Sequence, residues 1–409
     1  MKPETSVVIG KNFGDEGKGL AVDYLCSPAS GCMDSAGVLV VKHNGGAQAG
    51  HTVDLWEKRF VFHQLSAGSF RGASTYWADT YYPDLYKLRE ELVAFCKVCP
   101  HGRPRIYASP NTPVTLVDDV ILNMAAETMR GEMRHGSCGM GIYEAFLRTE
   151  AGYGIRMKEV WESDPEHLFL QLKRIRDEYL PMRMKELGFE TLPQEAKELL
   201  SKDDVLWNAA AEICICAEQV IPEEAPKEWL EKWKRVVFET GQGLLLDAEN
   251  EPFWPHVTGS RTGLVNPTRF LSQRGMAVDR VIYVTRSYVT RHGAGPLPLE
   301  ETPENLRITS EDRTNRENEW QGRLRYAWHP GGEDWFAPIR QDLKVASRSI
   351  GKAELLITHL NETDETVLVD HERVPIKQFA KVLLDSGIFS DILISDSPYA
   401  ESVRSVNAR

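Results

Sequence analysis

Short apolar runs recur along the chain, and each is followed by a glycine-rich or polar turn. Four of them are "SVVIG" (6–10), "GVLVVK" (37–42), "RVIYVTRSYV" (280–289) and "ELLITHL" (354–360). Their β-branched and apolar content is typical of strands that are buried on both faces. Stretches with helical spacing separate them. The pattern therefore predicts an α/β fold with a mostly parallel central sheet flanked by helices.

The segment from about 155 to 237 has a different pattern. Leu, Glu, Lys, Arg and Trp recur there at helical spacing, as in "HLFLQLKRIRDEYLPMRMKELG" and "PKEWLEKWKRVVFE". We interpret it as a helical insertion whose charges form a solvated face. The sequence has neither a fixed-period repeat nor a low-complexity linker, so we expect residues 1–409 to form a single domain that carries this insertion.

Composition and charge argue against two classes of partner. The 409 residues carry a formal net charge of -12, so there is no basic excess to neutralise nucleic-acid or lipid phosphates. No uninterrupted apolar run approaches the roughly 18 residues of a membrane span. The opening "MKPETSVVIG" lacks the apolar core of a secretory signal, and the seven cysteines are odd in number and widely spaced. We therefore expect a cytoplasmic protein that binds neither nucleic acid nor membranes.

The first strand leads into "GDEGKGLAVDYL" (14–25), which resembles a phosphate-binding loop with unusual residues. A Walker loop has a hydroxyl residue after its lysine to hold Mg²⁺, but here Lys18 is followed by Gly19. Two acids, Asp15 and Glu16, stand where a phosphate would be expected. They could act in chemistry, or they could be a pair of acids at a helix N-terminus that is favoured by the macrodipole.

Four glycine-rich segments carry side chains suited to phosphate chemistry. They are "GKNFGDEGKG" (10–19), "HNGGAQAGHTV" (43–53), "HGSCGMGIYEAFLR" (135–148) and "FETGQGLLLDAENEPFWPHVTGSRTG" (238–263). Glycines allow close backbone approach and leave amides free to face an anion. Four such segments, each with a nearby Lys, His, Arg, Gln or Thr, predict a phosphate-bearing substrate.

A set of ordered motifs makes the resemblance specific. "GDEGKG", "AGHTV", "FHQLSAG", "GQGLLLD", "TRHGAGPLP" and "GRLRYAW" occur in the order and approximate spacing of adenylosuccinate synthetases, from about residue 6 to residue 403. The resemblance implies a P-loop-NTPase-like fold, a homodimer and an NTP-dependent ligase. Such enzymes phosphorylate O6 of a purine nucleotide and then displace that phosphate with the amine of aspartate.

The resemblance also implies roles in catalysis. Asp15 would be the general base that removes the purine N1 proton, with a metal offsetting the repulsion between its carboxylate and the phosphates. Lys18 would neutralise the transferred phosphoryl group, and His51 would be the general acid. The implied catalytic residues are Asp15, Lys18, His51 and Gln242, and the implied Mg²⁺ ligands are Asp15 and the carbonyl of Gly50.

Three binding sets follow from the same resemblance. The purine monophosphate would contact Asp15, Lys18, Gln48, Ser137, Arg148, Gln242 and Thr258. Aspartate would contact Gln321, Arg323 and Arg325, because guanidinium groups pair with carboxylates through two parallel hydrogen bonds. The nucleoside triphosphate would contact Gly14, Glu16, Gly17, Lys18, Gly50, His51, Thr52, Arg325, His359, Asn361, Ser395 and Ser397.

Departures from the family pattern concern the nucleotide pockets. Asn361 in "THLN" replaces the aspartate that reads guanine, His359 replaces a lysine that packs on the base, and "SDSP" (395–398) replaces Ser-Thr-Gly-Pro. We therefore expect ATP or dATP, rather than GTP, to be the phosphoryl donor. Gln48 also replaces the usual asparagine, which should reshape the monophosphate pocket.

The sequence leaves two alternatives for the nucleotide that accepts the phosphoryl group. "GKGLAVDYL", "GSCGMG" and "NPTRFLSQRGM" resemble a phage branch that uses dGMP, but that branch replaces the catalytic aspartate, which this chain keeps as Asp15. We expect IMP or dIMP first and dGMP second. A nucleotide-binding regulator without turnover is the alternative from another class, and an amine other than aspartate is possible because Gln321 stands where relatives have threonine.

Overall fold

The computed structural model describes residues 2–308, 320, 322–346 and 350–407. Its β-strands, in chain order, are β1 (Glu4–Gly10), β2 (Val38–Lys42), β3 (His51–Leu55), β4 (Lys58–Phe62), β5 (Ser74–Trp77), β6 (Ile106–Ala108), β7 (Val220–Pro222), β8 (Arg235–Gly243), β9 (Val278–Arg286), β10 (Val289–Arg291), β11 (Glu300–Glu301), β12 (Arg325–Ala327), β13 (Ile350–Thr358), β14 (Thr366–Val369), β15 (Glu372–Pro375), β16 (Asp391–Ile394) and β17 (Arg404–Ser405).

The α-helices of the described chain cover both the core and the insertion. They are α1 (Lys18–Leu25), α2 (Leu85–Val98), α3 (Val117–Arg130), α4 (Ile142–Arg148), α5 (Met157–Glu162), α6 (Pro165–Arg174), α7 (Leu180–Glu186), α8 (Gln194–Ser201), α9 (Asp203–Ala217), α10 (Lys227–Leu230), α11 (Val265–Ser272), α12 (Gly332–Val345) and α13 (Ile376–Asp385). None of the helices in the described ranges is long and apolar enough to cross a membrane.

Ten of the described strands form one large sheet. Their order is β17-β16-β13-β9-β1-β8-β2-β5-β6-β7, and every neighbouring pair is parallel except β16 with β17. A hairpin of β3 and β4 lies outside this sheet. Because the strands run in one direction, the loops that follow their carboxyl ends gather at one edge, where ligands bind in open α/β sheets.

Both faces of the sheet are buried. Val8 and Val40 belong to one apolar core, whereas the alternating neighbours Val7, Ile9 and Leu39 belong to a second core. Successive side chains of a strand point to opposite faces, so the two cores lie on opposite sides of the sheet. This explains the continuous apolar runs, and the predicted α/β fold class is confirmed.

The four predicted strands correspond to β1, β2, β9 with β10, and β13. The central strand β8 was not predicted, because its apolar run is short and is interrupted by the buried charge of Glu239. The segment 155–237 does contain the helices α5 to α10, but its end was placed too late. It also contributes β7 to the edge of the sheet, and β8 already begins at Arg235.

Candidate active site

The loop between β1 and α1 is shaped by its own acid, Glu16. This carboxylate is buried, with 3% of the residue exposed, and its Oε1 accepts hydrogen bonds from the amides of Asn12 (2.8 Å) and Gly14 (3.0 Å). Lys18 lies 3.7 Å from the other oxygen and donates to the Gly14 carbonyl. The side chain of Glu16 therefore faces the inside of the loop, which leaves its backbone as the part that can face a triphosphate.

The same loop excludes a Walker-type hydroxyl for a steric reason. Helix α1 passes so close to strand β3 that a Cβ added at Gly19 would lie 2.6 Å from the carbonyl oxygen of Thr52 and 3.1 Å from the carbonyl carbon of His51. Real Cβ atoms do not approach backbone that closely. Glycine is therefore required after Lys18, and a metal cannot be held through a hydroxyl at this position.

Asp15 points away from the loop, toward the loop that follows β10. Its carboxylate is 25% exposed, and its Oδ2 lies 3.3 Å from Nδ1 of His292, while Arg286 donates to its backbone carbonyl. Burial by itself would raise the pKa of Asp15. The hydrogen bond and charge of His292, and then the charges of Arg286 and Lys18, outweigh burial and lower this pKa below its usual range. Asp15 is therefore ionised at neutral pH, as a general base must be.

His51 is paired with a buried carboxylate. At the start of β3, its Nδ1 is hydrogen-bonded to Oε1 of Glu239, on the central strand β8. Burial alone would raise the pKa of Glu239, but Lys42 at 3.7 Å, together with His51, lowers it to about 2. Burial lowers the pKa of His51 to about 4, against the raising influence of Glu239. The ionised Glu239 thus fixes the tautomer of His51 and leaves Nε2 free to act.

Four of the predicted monophosphate residues line one cavity of about 610 Å³. They come from segments that are far apart in the sequence, and they are Gln48, Ser137, Gln242 and Thr258. His292, the partner of Asp15, lies in the same wall. The volume falls within the range of about 300–1,000 Å³ that is typical of small-molecule sites. The glycine-rich segments 43–53, 135–148 and 238–263 therefore meet at one pocket beside the Asp15 loop.

Several polar atoms in the cavity wall lack a hydrogen-bond partner among the described residues: Gln48 Oε1, Arg291 Nε and His292 Nε2. Arg291 is held in place by the carbonyls of Pro296 (2.7 Å) and His256 (3.0 Å), and its guanidinium lies 4.6 Å from the ring centroid of Phe13. Buried polar groups are normally hydrogen-bonded. Unpartnered acceptors and donors around one cavity indicate a polar ligand.

The prediction that Arg148 binds the monophosphate is wrong for this structure. The residue is 0% exposed, and its guanidinium makes two 2.9 Å bonds to Asp119 and further bonds to the carbonyls of Val114 and Tyr153. These contacts tie α4 to the start of α3. Arg148 therefore stabilises the wall of the cavity and has no donor directed to a ligand.

The predicted aspartate site is only partly described. Gln321 lies outside the described residues, and Arg323 is exposed. Arg325, on β12, is paired with Glu300 and donates to the carbonyls of Gly293 (3.2 Å) and Gly295 (2.8 Å). It therefore lies beside the loop that carries His292, and its guanidinium already has a carboxylate partner.

The predicted base pocket for the triphosphate is contiguous in space. His359 and Asn361 follow β13, Ser395 and Ser397 follow the neighbouring strand β16, and the amide of Leu360 donates to the Ser395 carbonyl at 3.4 Å. Ser395 is buried and donates to the Ser397 carbonyl at 2.7 Å, whereas Asn361 is exposed. The departures from the family pattern at 358–361 and 395–398 therefore change the same surface.

Sequence reasoning missed four residues of the site: Glu239, Arg286, Arg291 and His292. A charged residue inside the run "RVVFETGQG" was the available signal for Glu239, and the last two belong to the "TRHGAGPLP" motif, which was used for the resemblance only. The contact between Glu239 on β8 and His51 on β3, a strand outside the large sheet, is not encoded in local spacing.

The residues present are compatible with Mg²⁺ at the Asp15 loop. The described residues hold no group of three or more His, Cys, Asp or Glu side chains that could form a metal cage. Magnesium is usually bound through one or two carboxylates, with water and substrate phosphates completing the shell. One carboxylate, Asp15, and the exposed backbone of Gly50 fit that donor set.

Comparisons with known proteins agree with this geometry. The family model of adenylosuccinate synthetase matches residues 7–321. The adenylosuccinate synthetase of Thermoplasma acidophilum is 30% identical over 302 residues, which is 73% of this chain and 64% of that protein. That of Pseudomonas syringae pv. syringae is 29% identical over 307 residues, covering 72% and 64%. The matches thus span less than two thirds of the length of these curated relatives.

Two solved structures share the fold over nearly the whole chain. A fully ligated adenylosuccinate synthetase from Plasmodium falciparum has a TM-score of 0.68 at 17% identity, covering 97% of this chain and 98% of its own. The succinoaminodeoxyadenylate synthetase of cyanophage S-2L, bound to dGMP and dATP, has a TM-score of 0.61 at 15% identity, covering 100% and 97%.

Proposed function

The chain belongs to the adenylosuccinate synthetase family, and on that premise we propose that it joins L-aspartate to carbon 6 of a purine nucleoside monophosphate. A nucleoside triphosphate drives the reaction through a 6-phosphoryl intermediate, and the product is an N6-succinyl-adenylate. One observation carries the proposal: three glycine-rich segments meet at one cavity, and the Asp15 loop adjoins that cavity through the contact of Asp15 with His292.

The first step is phosphoryl transfer to O6. The ionised Asp15 takes the N1 proton, which makes O6 nucleophilic, and O6 attacks the γ-phosphorus while the bond to the nucleoside diphosphate breaks. Lys18, whose Nζ donates to the Gly14 carbonyl, offsets the negative charge on the transferred phosphoryl group. His51 gives a proton from Nε2 of its imidazolium form to the oxygen that is released, while Nδ1 stays hydrogen-bonded to Glu239.

The second step is displacement by the amine. The α-amine of aspartate attacks C6, the C6–O6 bond breaks, and inorganic phosphate leaves as the amine loses a proton. Asp15, now protonated, gives its proton to N1 as negative charge builds on the ring and takes it back as phosphate leaves, so that N1 of the product carries no proton. When bound, Mg²⁺ would be held by Asp15 and the Gly50 carbonyl, and would neutralise charge on the triphosphate.

The first-choice acceptor is IMP or dIMP. Asp15 is retained, and a carboxylate facing N1 suits a ring with only hydrogen at its neighbouring carbon. dGMP is the second candidate, because the unpartnered acceptors of the cavity would match additional N–H donors. The phage enzyme of similar fold binds dGMP.

ATP or dATP is the proposed donor. Asn361 has one acceptor and a competing donor, so it cannot pair with both N1–H and the 2-amino group of guanine as a carboxylate does. We expect at least tenfold lower kcat/KM with GTP than with ATP. Asn361→Asp should narrow that gap, and a wild-type preference for GTP would contradict the assignment.

We propose a cytoplasmic homodimer. Met124, Met129 and Met133 are exposed along the end of α3 and the turn after it, and Met133 is 80% exposed. A second copy covering these side chains would remove apolar surface from water. Light scattering over a range of concentrations measures the mass, and Met133→Glu should favour the monomer.

Aspartate-dependent phosphate release tests the proposed reaction. A matrix of IMP, dIMP, GMP and dGMP against ATP, dATP and GTP, with and without aspartate, should yield phosphate only when all three substrates are present. Asp15→Asn and His51→Asn should each lower kcat by roughly 100-fold or more. The matched control is Asp34→Asn, an exposed acid paired with Lys234 ahead of β2.

The alternatives have distinct outcomes in that matrix. Binding of a purine nucleotide without phosphate release under any combination would support a silent regulator. Release that needs an amine other than aspartate would revise the second substrate. Full activity of Asp15→Asn would refute the mechanism.

A further inference from the structure

Helix α3 carries a row of buried polar side chains on one face. Asp119, Asn123 and Glu127 are spaced four residues apart, and they are 2%, 7% and 0% exposed. Side chains four residues apart lie on the same face of a helix. Asp119 holds Arg148, whereas Asn123 and Glu127 line the cavity of the candidate site. Because burial of a polar group is unfavourable unless it is hydrogen-bonded, the partners of these two residues show what the face holds.

Both carboxylate oxygens of Glu127 are engaged. Oε2 accepts hydrogen bonds from the backbone amides of Gly136 (3.0 Å) and Ser137 (3.2 Å), and Oε1 accepts one from the Arg130 guanidinium (2.6 Å). Hydrogen bonds to a charged group are stronger than those between neutral groups. Glu127 therefore anchors the start of residues 136–141, which we call the wall segment, to α3.

Asn123 anchors the same wall segment one helical turn earlier. Its Oδ1 accepts hydrogen bonds from the Ser137 hydroxyl (3.2 Å) and the Gly141 amide (3.3 Å). Gly141 has a φ of 73°, and a Cβ there would lie 2.6 Å from the carbonyl carbon of Asp119, so only glycine fits this close to the helix. The two side chains thus hold both ends of the wall segment.

The wall segment lies where we propose that the monophosphate binds. Its residues line the cavity together with Gln242 and Thr258. A glycine-rich segment has many accessible conformations when it is free, and a ligand that must order such a segment binds more weakly. The contacts of Glu127 and Asn123 order it before any ligand arrives.

We propose that Glu127 and Asn123 are positioning residues for the purine monophosphate. They hold the wall segment in its binding conformation and touch none of the reacting atoms. The identity of the ligand rests on the proposed function. Since the chemistry belongs to Asp15 and His51, loss of an anchor raises the KM for the monophosphate and leaves kcat unchanged.

Steady-state kinetics on three variants tests this role. Glu127→Leu removes both amide contacts, so the KM for the monophosphate should rise about tenfold or more. Its kcat, and its KM for ATP and aspartate, should stay within about twofold of wild type. Glu127→Gln keeps an oxygen that can accept from both amides, so its KM should rise less than about threefold. Glu354→Gln is the matched control, because this buried acid also pairs with an arginine, Arg280, but lies outside the cavity wall.

A second pair of variants covers the case in which Glu127→Leu does not fold, which its unfolding midpoint measures. Asn123→Leu should raise the KM for the monophosphate, and Asn123→Asp, which keeps an acceptor, should restore it. An unchanged KM for the monophosphate in the folded leucine variants, or equal rises in KM for all three substrates, overturns the positioning role and leaves the ligase activity standing.

The failure of the proposed function has a different signature. It would appear as absence of turnover of the wild-type protein with every monophosphate. Calorimetry with IMP and GMP alone then tests the two anchors, because binding precedes any chemistry. Weaker binding in the leucine variants of Glu127 and Asn123 would support the positioning role, and unchanged affinity in both would refute it.

Discussion

Replacing Glu239 with glutamine tests whether the buried pair serves catalysis. The substitution keeps the shape of the side chain but removes the charge that fixes the His51 tautomer and lies 3.7 Å from Lys42. At an effective dielectric constant of about 20, one such contact is worth about 4 kcal/mol. Without the carboxylate the pKa of His51, already lowered to about 4 by burial, should fall further. A smaller fraction of the ring would then carry the proton that it has to donate.

We expect Glu239→Gln to lower kcat by about 100-fold or more, in line with the usual contribution of a general acid. Loss of a buried ionic partner should also cost about 3–5 kcal/mol of stability. The matched control is Glu354→Gln, because Glu354 is equally buried on β13 and is paired with Arg280 and Lys352. The assay measures turnover and the unfolding midpoint of both variants. The reasoning fails if Glu239→Gln keeps more than a tenth of wild-type turnover, or if both variants lose turnover equally.

Three further predictions concern the scaffold and pH. Gly19→Ser should destabilise the fold by about 2 kcal/mol or more and abolish turnover, because its Cβ would lie 2.6 Å from the Thr52 carbonyl oxygen. Wild-type activity of a folded Gly19→Ser protein would contradict the steric account. Arg148→Met should lower stability by about 3–5 kcal/mol through the loss of the Asp119 pair. Its KM for the monophosphate should stay near wild type at a temperature where it is folded, and a large rise would restore a binding role. His43, His51 and His329 should each lower stability as pH falls below 6.5, because burial lowers their folded-state pKa to about 3, 4 and 3. The unfolded chain, with a pKa of about 6.5, takes up protons first, so each group costs up to about 1.4 kcal/mol per pH unit. Asp84, Asp118 and Asp342 act in the opposite direction, because burial raises their pKa to about 6, 7 and 6. His43→Asn should remove one histidine's share, so a variant whose denaturation midpoint changes with pH between 7.5 and 5.5 as the wild-type midpoint does would refute this.

The parts that could be predicted from the sequence are those encoded by local pattern. The apolar run before Asp15 marks a strand end, and parallel strands bring such ends to one edge, so the glycine-rich segments 10–19 and 43–53, which follow β1 and β2, could be predicted to lie near each other. Gln242 and Thr258 were assigned to the site by the resemblance alone. β8 could not be recognised, because a buried charge interrupts its apolar run. Glu239 is tolerated in the core because it is paired with Lys42 and His51.

Spacing along the chain could not decide which way a charged side chain points. Arg148 has the expected position after a glycine-rich segment, but an acid on the preceding helix, Asp119, takes its guanidinium. Glu16 follows Asp15 directly, yet it turns inward onto the loop amides while Asp15 faces the cavity wall. These outcomes depend on tertiary neighbours. The role of Gln321 stays a prediction.

The inward-facing carboxylate of Glu16 affects which anions can bind to the loop. A free inorganic anion that diffuses to this loop finds two of its amides already occupied by a negative group, so it gains few hydrogen bonds and meets repulsion. Only a ligand that brings its own counter-ion and makes contacts elsewhere overcomes that barrier. We therefore expect inorganic phosphate to bind this loop weakly, and the two hydrogen bonds to Glu16 hold the loop in shape.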